Sequence, residues 1–75
     1  MNNNLDLELR NILAENLRAF RRKKNLSQEE FASKCGLHRT YIGSVERSER
    51  NVTLRTLVDL ATALRTSVPN LLTKR

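Results

Sequence analysis

Apolar residues along this 75-residue chain recur at spacings of three and four, and no stretch of strand length alternates apolar with polar. That is the period of helices. Leu9, Leu13, Leu17 and Phe20 form one stripe of a first helix. It is expected to start between Leu5 and Leu9, with Asp6 and Glu8 at the positive end of the helix dipole. It should end on Arg21, Arg22, Lys23 and Lys24 at the negative end. Residues 1–4 read as a disordered tail. The segment "LSQEEFASKCG" encodes a second helix, about Gln28 to Cys35. Ser27 and Glu30 make a capping box, Phe31 and Ala32 face inward, and Gly36 is the left-handed stop. A third helix begins near Arg39, and "SERN" breaks it after Arg47. Thr53 caps a fourth, with Leu54, Leu57, Leu60, Ala61 and Leu64 in a stripe and Val58 beside it. Ser67 caps a short fifth that carries Val68, Leu71 and Leu72, with Pro69 tolerated in its first turn. The expected fold is all-α, a single domain over residues 1–75 built as a compact five-helix bundle.

The second and third helices, joined through a tight glycine turn, form a helix-turn-helix. On a helical wheel Tyr41, Ile42 and Val45 share an arc of about 100° toward the core, and Arg39, Thr40, Gly43, Ser44 and Arg47 fill about 140° opposite. Glycine inside a helix costs about 1 kcal/mol relative to alanine. An ordinary solvated face carries long helix formers instead. Small residues let the backbone approach another surface, and the second helix of such a motif can enter a DNA major groove with its N-terminal residues at base edges. Gly43 and Ser44 would admit the groove wall while Arg39 reaches a guanine. A cation at the positive end of a helix dipole is locally unfavourable, which points to a role for Arg39 outside folding. The bland counterpart is a helical hairpin whose outer face binds nothing.

Charge sharpens this picture. Between Arg18 and Arg55 lie ten basic and four acidic residues, an excess of six that accounts for the whole net charge of +6. A polyanion-binding surface needs such placement, and a solvated basic face is the plain alternative. Cys35 and His38 are the only residues of their kinds, so neither an internal disulfide nor a Cys/His zinc set is available. Cys35 reads as a small buried hydrophobe in a reducing compartment. So small a core needs good packing or dimerisation. Leu57, Val58, Leu64, Val68, Leu71 and Leu72 exceed what it is expected to hide, so helices 4 and 5 are assigned a homodimer interface. Two recognition helices would then lie about 34 Å apart on a pseudo-palindrome. No paired carboxylate, nucleophile–base motif or glycine-rich phosphate loop occurs, so the chain reads as no enzyme, with no cofactor or small-molecule ligand. No apolar run reaches signal-peptide or membrane length, and the expected location is the cytoplasm, at the nucleoid.

The segments "LSQEEFASKCGLHRTYIGSVERSERN" and "TLRTLVDLATAL" resemble the phage-repressor-like helix-turn-helix family of XRE/Cro type, over about Leu13 to Leu72. The lambda-repressor-like fold is implied. The narrower "HRTYI…VERxxRN" is most similar to controller proteins of restriction–modification systems. The resemblance implies that Gln28 contacts a phosphate, that Arg39 and Thr40 read bases, and that Gly43 and Ser44 lie close to the groove. It places His38 and Tyr41 on phosphate or sugar, and Arg47, Ser48, Arg50 and Asn51 along the backbone, with Arg50 within reach of a base. It also pairs Arg21 with Glu46, joining helices 1 and 3. From the residues alone His38 equally suits the cap of helix 3, and Tyr41 the edge of the core. Ser48 and Arg65 stand where the family often has glycine, and a positive φ there would store about 1 kcal/mol each. The implied function is a homodimeric transcription regulator of its own promoter on double-stranded DNA, activating at low occupancy and repressing at high. Whether two dimers pair as a tetramer on DNA stays open. The alternative is an antitoxin-type module whose C-terminal apolar face holds a protein partner.

Overall fold

Side-chain caps and left-handed turns divide the chain into five helices. The computed structural model describes residues 3–75. They form α1 (Asn3–Lys23), α2 (Gln28–Cys35), α3 (Arg39–Glu46), α4 (Leu54–Ala63) and α5 (Val68–Leu71), with no strand among the described residues. Ser27 Oγ accepts from the Glu30 N–H at 3.0 Å while Glu30 Oε1 accepts from the Ser27 N–H at 2.8 Å, so the capping box starts α2 as expected. Thr53 and Ser67 cap α4 and α5 by accepting from the backbone of Thr56 and Asn70. Gly36, at φ 69°, closes α2, and the Leu37 N–H donates to Ala32 O at 2.9 Å.

One boundary needs correction. The first helix starts at Asn3, ahead of the Leu5–Leu9 window, so Asn3 and Asn4 belong to α1 rather than to a tail. Met1 and Asn2, the rest of that expected tail, lie outside the described residues.

α1 packs on α3 and α5, α2 on α3 and α4, and α4 on α5. Between them lie Leu13, Leu17, Phe31, Ala32, Ile42, Val45, Leu57, Leu60, Ala61, Leu64 and Leu71. Complete burial of a side chain such as Phe31, Leu17 or Leu60 stabilises by roughly 1.5–3 kcal/mol. The Cα radius of gyration is 11.4 Å, matching the value of about 11 Å for a compact chain of this length.

The core redraws several expectations. Leu57, Leu64 and Leu71, assigned to a dimer interface, are buried within the protomer, because a five-helix bundle of this size has room for them. Val58 is exposed, and Val68 and Leu72 are half-buried against the core. Leu54, placed in the core stripe of α4, is 78% exposed. In α1 the stripe lies on Ile12, Leu13, Ala14 and Leu17, with Leu9 exposed and Phe20 half-buried. Asn16 fills the remaining position. Buried, it donates through Nδ2 to Leu71 O and Thr73 O, each at 2.9 Å, and so fastens the end of the chain to α1.

Ser48 and Arg65 adopt positive φ, 64° and 55°, as does Asn25 at 57°. The chain thus reverses at both non-glycine sites through a left-handed residue. Cys35 is half-buried and packs on the core, and burial pushes its thiol up to about 11, with Asp59 adding to the effect. It stays protonated and unreactive near neutral pH.

Candidate nucleic-acid interface

Contacts at the α2–α3 corner link Gln28, Gly43, Ser44, Arg47 and Arg50. Its foundation is a buried ion pair. Arg21 Nε donates to Glu46 Oε2 at 2.7 Å and Arg21 Nη2 to Glu46 Oε1 at 3.0 Å. Glu46, 3% exposed, lies at the last residue of α3, so this fork fixes α3 against α1. Gln28 Nε2 donates to the same Oε1 at 3.0 Å, and Arg21 Nη1 donates to Leu26 O at 2.8 Å. Arg18, which sequence reasoning left unassigned, donates to the Glu46 backbone carbonyl. Burial works against the charge on Glu46. The hydrogen bonds from Arg21 and Gln28 and the nearby Arg21 and Arg18 charges outweigh it, holding the carboxyl below the usual range.

At the start of α3, His38 Nδ1 accepts from the Thr40 N–H at 3.2 Å, so His38 is the N-cap. An accepting Nδ1 places the proton of the neutral ring on Nε2. Capping and an outward donation from Nε2 are therefore compatible. Arg39 and Thr40 follow, both exposed. No hydrogen bond or ion pair within the described residues restrains the Arg39 guanidinium, and its side chain is free to extend.

The middle of the helix departs from the wheel. Gly43 and Ser44 do not lie open, because longer side chains from neighbouring segments cover them. A Cβ at Gly43 would meet Arg47 Nη1 at 3.1 Å and Gln28 Oε1 at 3.7 Å. Ser44 is 6% exposed. Its hydroxyl donates to Tyr41 O at 2.6 Å and accepts from Arg50 Nε at 3.0 Å. The Arg50 guanidinium also lies over the Tyr41 ring, 5.3 Å from its centroid, and Tyr41 is half-buried at the core edge. Arg47 is held in turn by Glu49, with Nε to Oε2 at 3.0 Å and Nη2 to Oε1 at 3.2 Å. The hydrogen bonds from Arg47 hold the Glu49 carboxyl below its usual range; desolvation opposes them, and the Arg47 and Arg50 charges add to the lowering.

The structure thus gathers Gln28, His38, Arg39, Thr40, Tyr41, Arg47 and Arg50 around α3, with half-buried Ser48 turning the chain between Arg47 and Arg50, while Asn51 lines a depression beside Asp6, Leu9 and Arg10 of α1. Gln28, Arg39, Thr40, Gly43 and Arg47 line a shallow open depression. The covers over Gly43 and Ser44 are polar, exposed at their ends and movable, unlike a packed core. Sequence reasoning missed Arg18, Glu49 and the lids themselves. Glu49, two residues beyond Arg47, and Arg47 itself, one turn after Gly43, left local signals.

The helix-turn-helix family matches residues 17–71. The chain is 64% identical to the control protein C.SmaI of Serratia marcescens over 69 residues, 92% of this chain and 82% of that one. It superposes with a TM-score of 0.79 on the restriction–modification controller protein C.AhdI from Aeromonas hydrophila, at 44% identity, covering 83% of this chain and 94% of that one. A further match is the controller protein C.Esp1396I, solved as a tetramer in complex with its natural 35-base-pair operator. There the TM-score is 0.76 at 32% identity, covering 84% of this chain and 83% of that one. This chain therefore belongs to the helix-turn-helix family and, within it, to the controller proteins of restriction–modification systems.

Proposed function

We propose that this protein is a homodimeric, sequence-specific DNA-binding regulator that controls transcription from its own promoter within a restriction–modification system. It acts in the cytoplasm, at the nucleoid; among the described residues no helix is long and apolar enough to cross a membrane. The observation that carries the reading is the free, exposed Arg39 at the first turn of α3, beside a basic surface on a recognition helix locked by a buried ion pair. An extended guanidinium there donates bidentately to guanine O6 and N7 in a major groove. Thr40 adds a second base contact. Gln28 has one amide N–H on Glu46 and a second left for a phosphate. His38 donates through Nε2, Tyr41 touches the sugar-phosphate backbone, and Arg47, Ser48, Arg50 and Asn51 follow that backbone.

Gly43 and Ser44 meet the groove wall once Arg47 and Arg50 swing outward to phosphates. The apolar side chains left uncovered on α4 and α5, Leu54 and Val58 with the half-buried Val68 and Leu72, supply the two-fold contact. The operator-bound tetramer of C.Esp1396I supports the pairing of two such dimers. Filling of the first dimer site activates and filling of the second represses, which delays the endonuclease until methylation protects the host DNA. Footprinting on the DNA upstream of its own coding sequence tests the reading. Protected half-sites about 10 base pairs apart, related by an approximate two-fold axis, are expected. Uniform protection at all concentrations would refute it.

A further inference from the structure

Glu49 is an acid placed within the basic surface, between Arg47 and Arg50, and the proposed DNA contacts leave it without a task. Both its oxygens engage Arg47, which bends the guanidinium back over Gly43. In the free protein Arg47 therefore covers the one position on α3 where the backbone itself is bare. A groove wall reaches Gly43 only after Arg47 has moved. When Arg47 turns to a phosphate, Glu49 loses its partner and its anion remains beside the DNA backbone. That repulsion is the same on any duplex, because every duplex carries the same phosphates. Base contacts by Arg39 and Thr40 arise only on the right sequence and are added to this uniform cost.

We infer that Glu49 latches Arg47 over Gly43 and lowers the affinity for duplex DNA of every sequence, so that phosphate contacts alone hold the protein weakly. The inference rests on the DNA-binding reading above. It assigns Glu49 no base of its own. Glu49 sets the level of affinity and leaves the choice between sequences to Arg39 and Thr40. The latch is electrostatic and exposed, so it opens without unfolding any helix.

The test is equilibrium binding of the full chain and of Glu49→Gln to two probes, the duplex spanning its own promoter and a scrambled duplex of equal length, at several salt concentrations. On the scrambled duplex, Glu49→Gln is expected to bind about ten-fold more tightly at low salt. The plot of log Kobs against log salt should steepen by about 0.9, the equivalent of one further neutralised phosphate. Affinity for the promoter duplex should rise by a similar factor, so the preference between the two probes is kept. Most of the gain should vanish in Arg47→Ala/Glu49→Gln relative to Arg47→Ala. Glu8→Gln, which removes one charge from the first turns of α1, should raise the affinity for either duplex far less.

Two results would overturn the inference. Glu49→Gln binding scrambled DNA no better than wild type would show that Glu49 restrains nothing. A gain persisting without Arg47 would reduce Glu49 to one unit of net charge. Both leave the regulator reading standing if wild type still prefers its promoter. Failure of wild type and Glu49→Gln alike to distinguish the two duplexes would instead bring down that reading and this one with it.

Discussion

Replacing Glu46 by alanine removes the acceptor for two Arg21 bonds and one Gln28 bond at once. The Arg21 side chain, 10% exposed, then faces the interior with only Leu26 O as a partner. Breaking a buried pair by removing one member costs about 3–5 kcal/mol. A domain of this length holds about 4–11 kcal/mol in total, so from roughly a quarter to all of the stability is at stake. At about 4–8 °C per kcal/mol for domains of this size, the melting temperature should fall by at least about 12 °C. Thermal and urea unfolding followed by circular dichroism measure this directly. Substituting both partners, Arg21→Met with Glu46→Leu, should recover most of the loss, because neither charge is then buried alone. The carboxyl of Glu46 is held low when folded and titrates near 4.3 when unfolded. Its contribution is therefore full above about pH 5 and is lost as pH falls through the unfolded value toward the lower folded one. Glu46→Gln should flatten that acid limb. A Glu46→Ala protein melting within about 4 °C of wild type would refute the view that this pair fixes α3 against α1.

Three further outcomes are expected. Arg39→Ala should lose about 1–3 kcal/mol of operator affinity in a binding titration and relax the preference at one base, while its affinity for scrambled duplex changes much less. Gly43→Ala should separate stability from function: the helix gains up to about 1 kcal/mol in unfolding measurements, because the new methyl crowds only the end of the exposed Arg47 side chain and makes ordinary contact with Gln28, yet operator binding weakens because the groove wall is held off. Arg65→Gly should relieve the left-handed strain at φ 55° and raise thermal stability by up to about 1 kcal/mol, less the added freedom of glycine in the unfolded chain; a lower melting temperature would show that the site is not strained.

The helix starts were legible because each of α2 to α5 follows a residue whose side chain accepts from the helix's own first turn: Ser27, His38, Thr53 and Ser67. Gly36 marked the turn for the same local reason. The Arg21–Glu46 pair came from resemblance, since 25 residues separate the partners and no periodicity connects them. The start of α1 was misplaced because its first turns have no cap of this kind within the expected window and expose Leu5 and Leu7. The dimer surface was overdrawn by underestimating the core, which takes in Leu57, Leu64 and Leu71. Asn16 could have been noticed, as it interrupts the apolar stripe between Leu13 and Leu17. Arg47, one turn after Gly43 on the same arc of the wheel, could have been noticed as its cover too; Gln28 and Arg50 could not, because a helical wheel carries only the helix. Gln28 arrives from α2, and Arg50 from the segment beyond α3.

The central claim is that the outer face of α3, led by Arg39 and uncovered as Arg47 and Arg50 swing away, reads a DNA sequence in the major groove. A competition titration decides it most directly, with wild-type protein bound to a labelled duplex of its own promoter and displaced by unlabelled promoter or scrambled duplex at physiological salt. The account predicts that scrambled DNA must be present at about a thousand-fold higher concentration or more to displace as much protein. Equal displacement by the two competitors would contradict it.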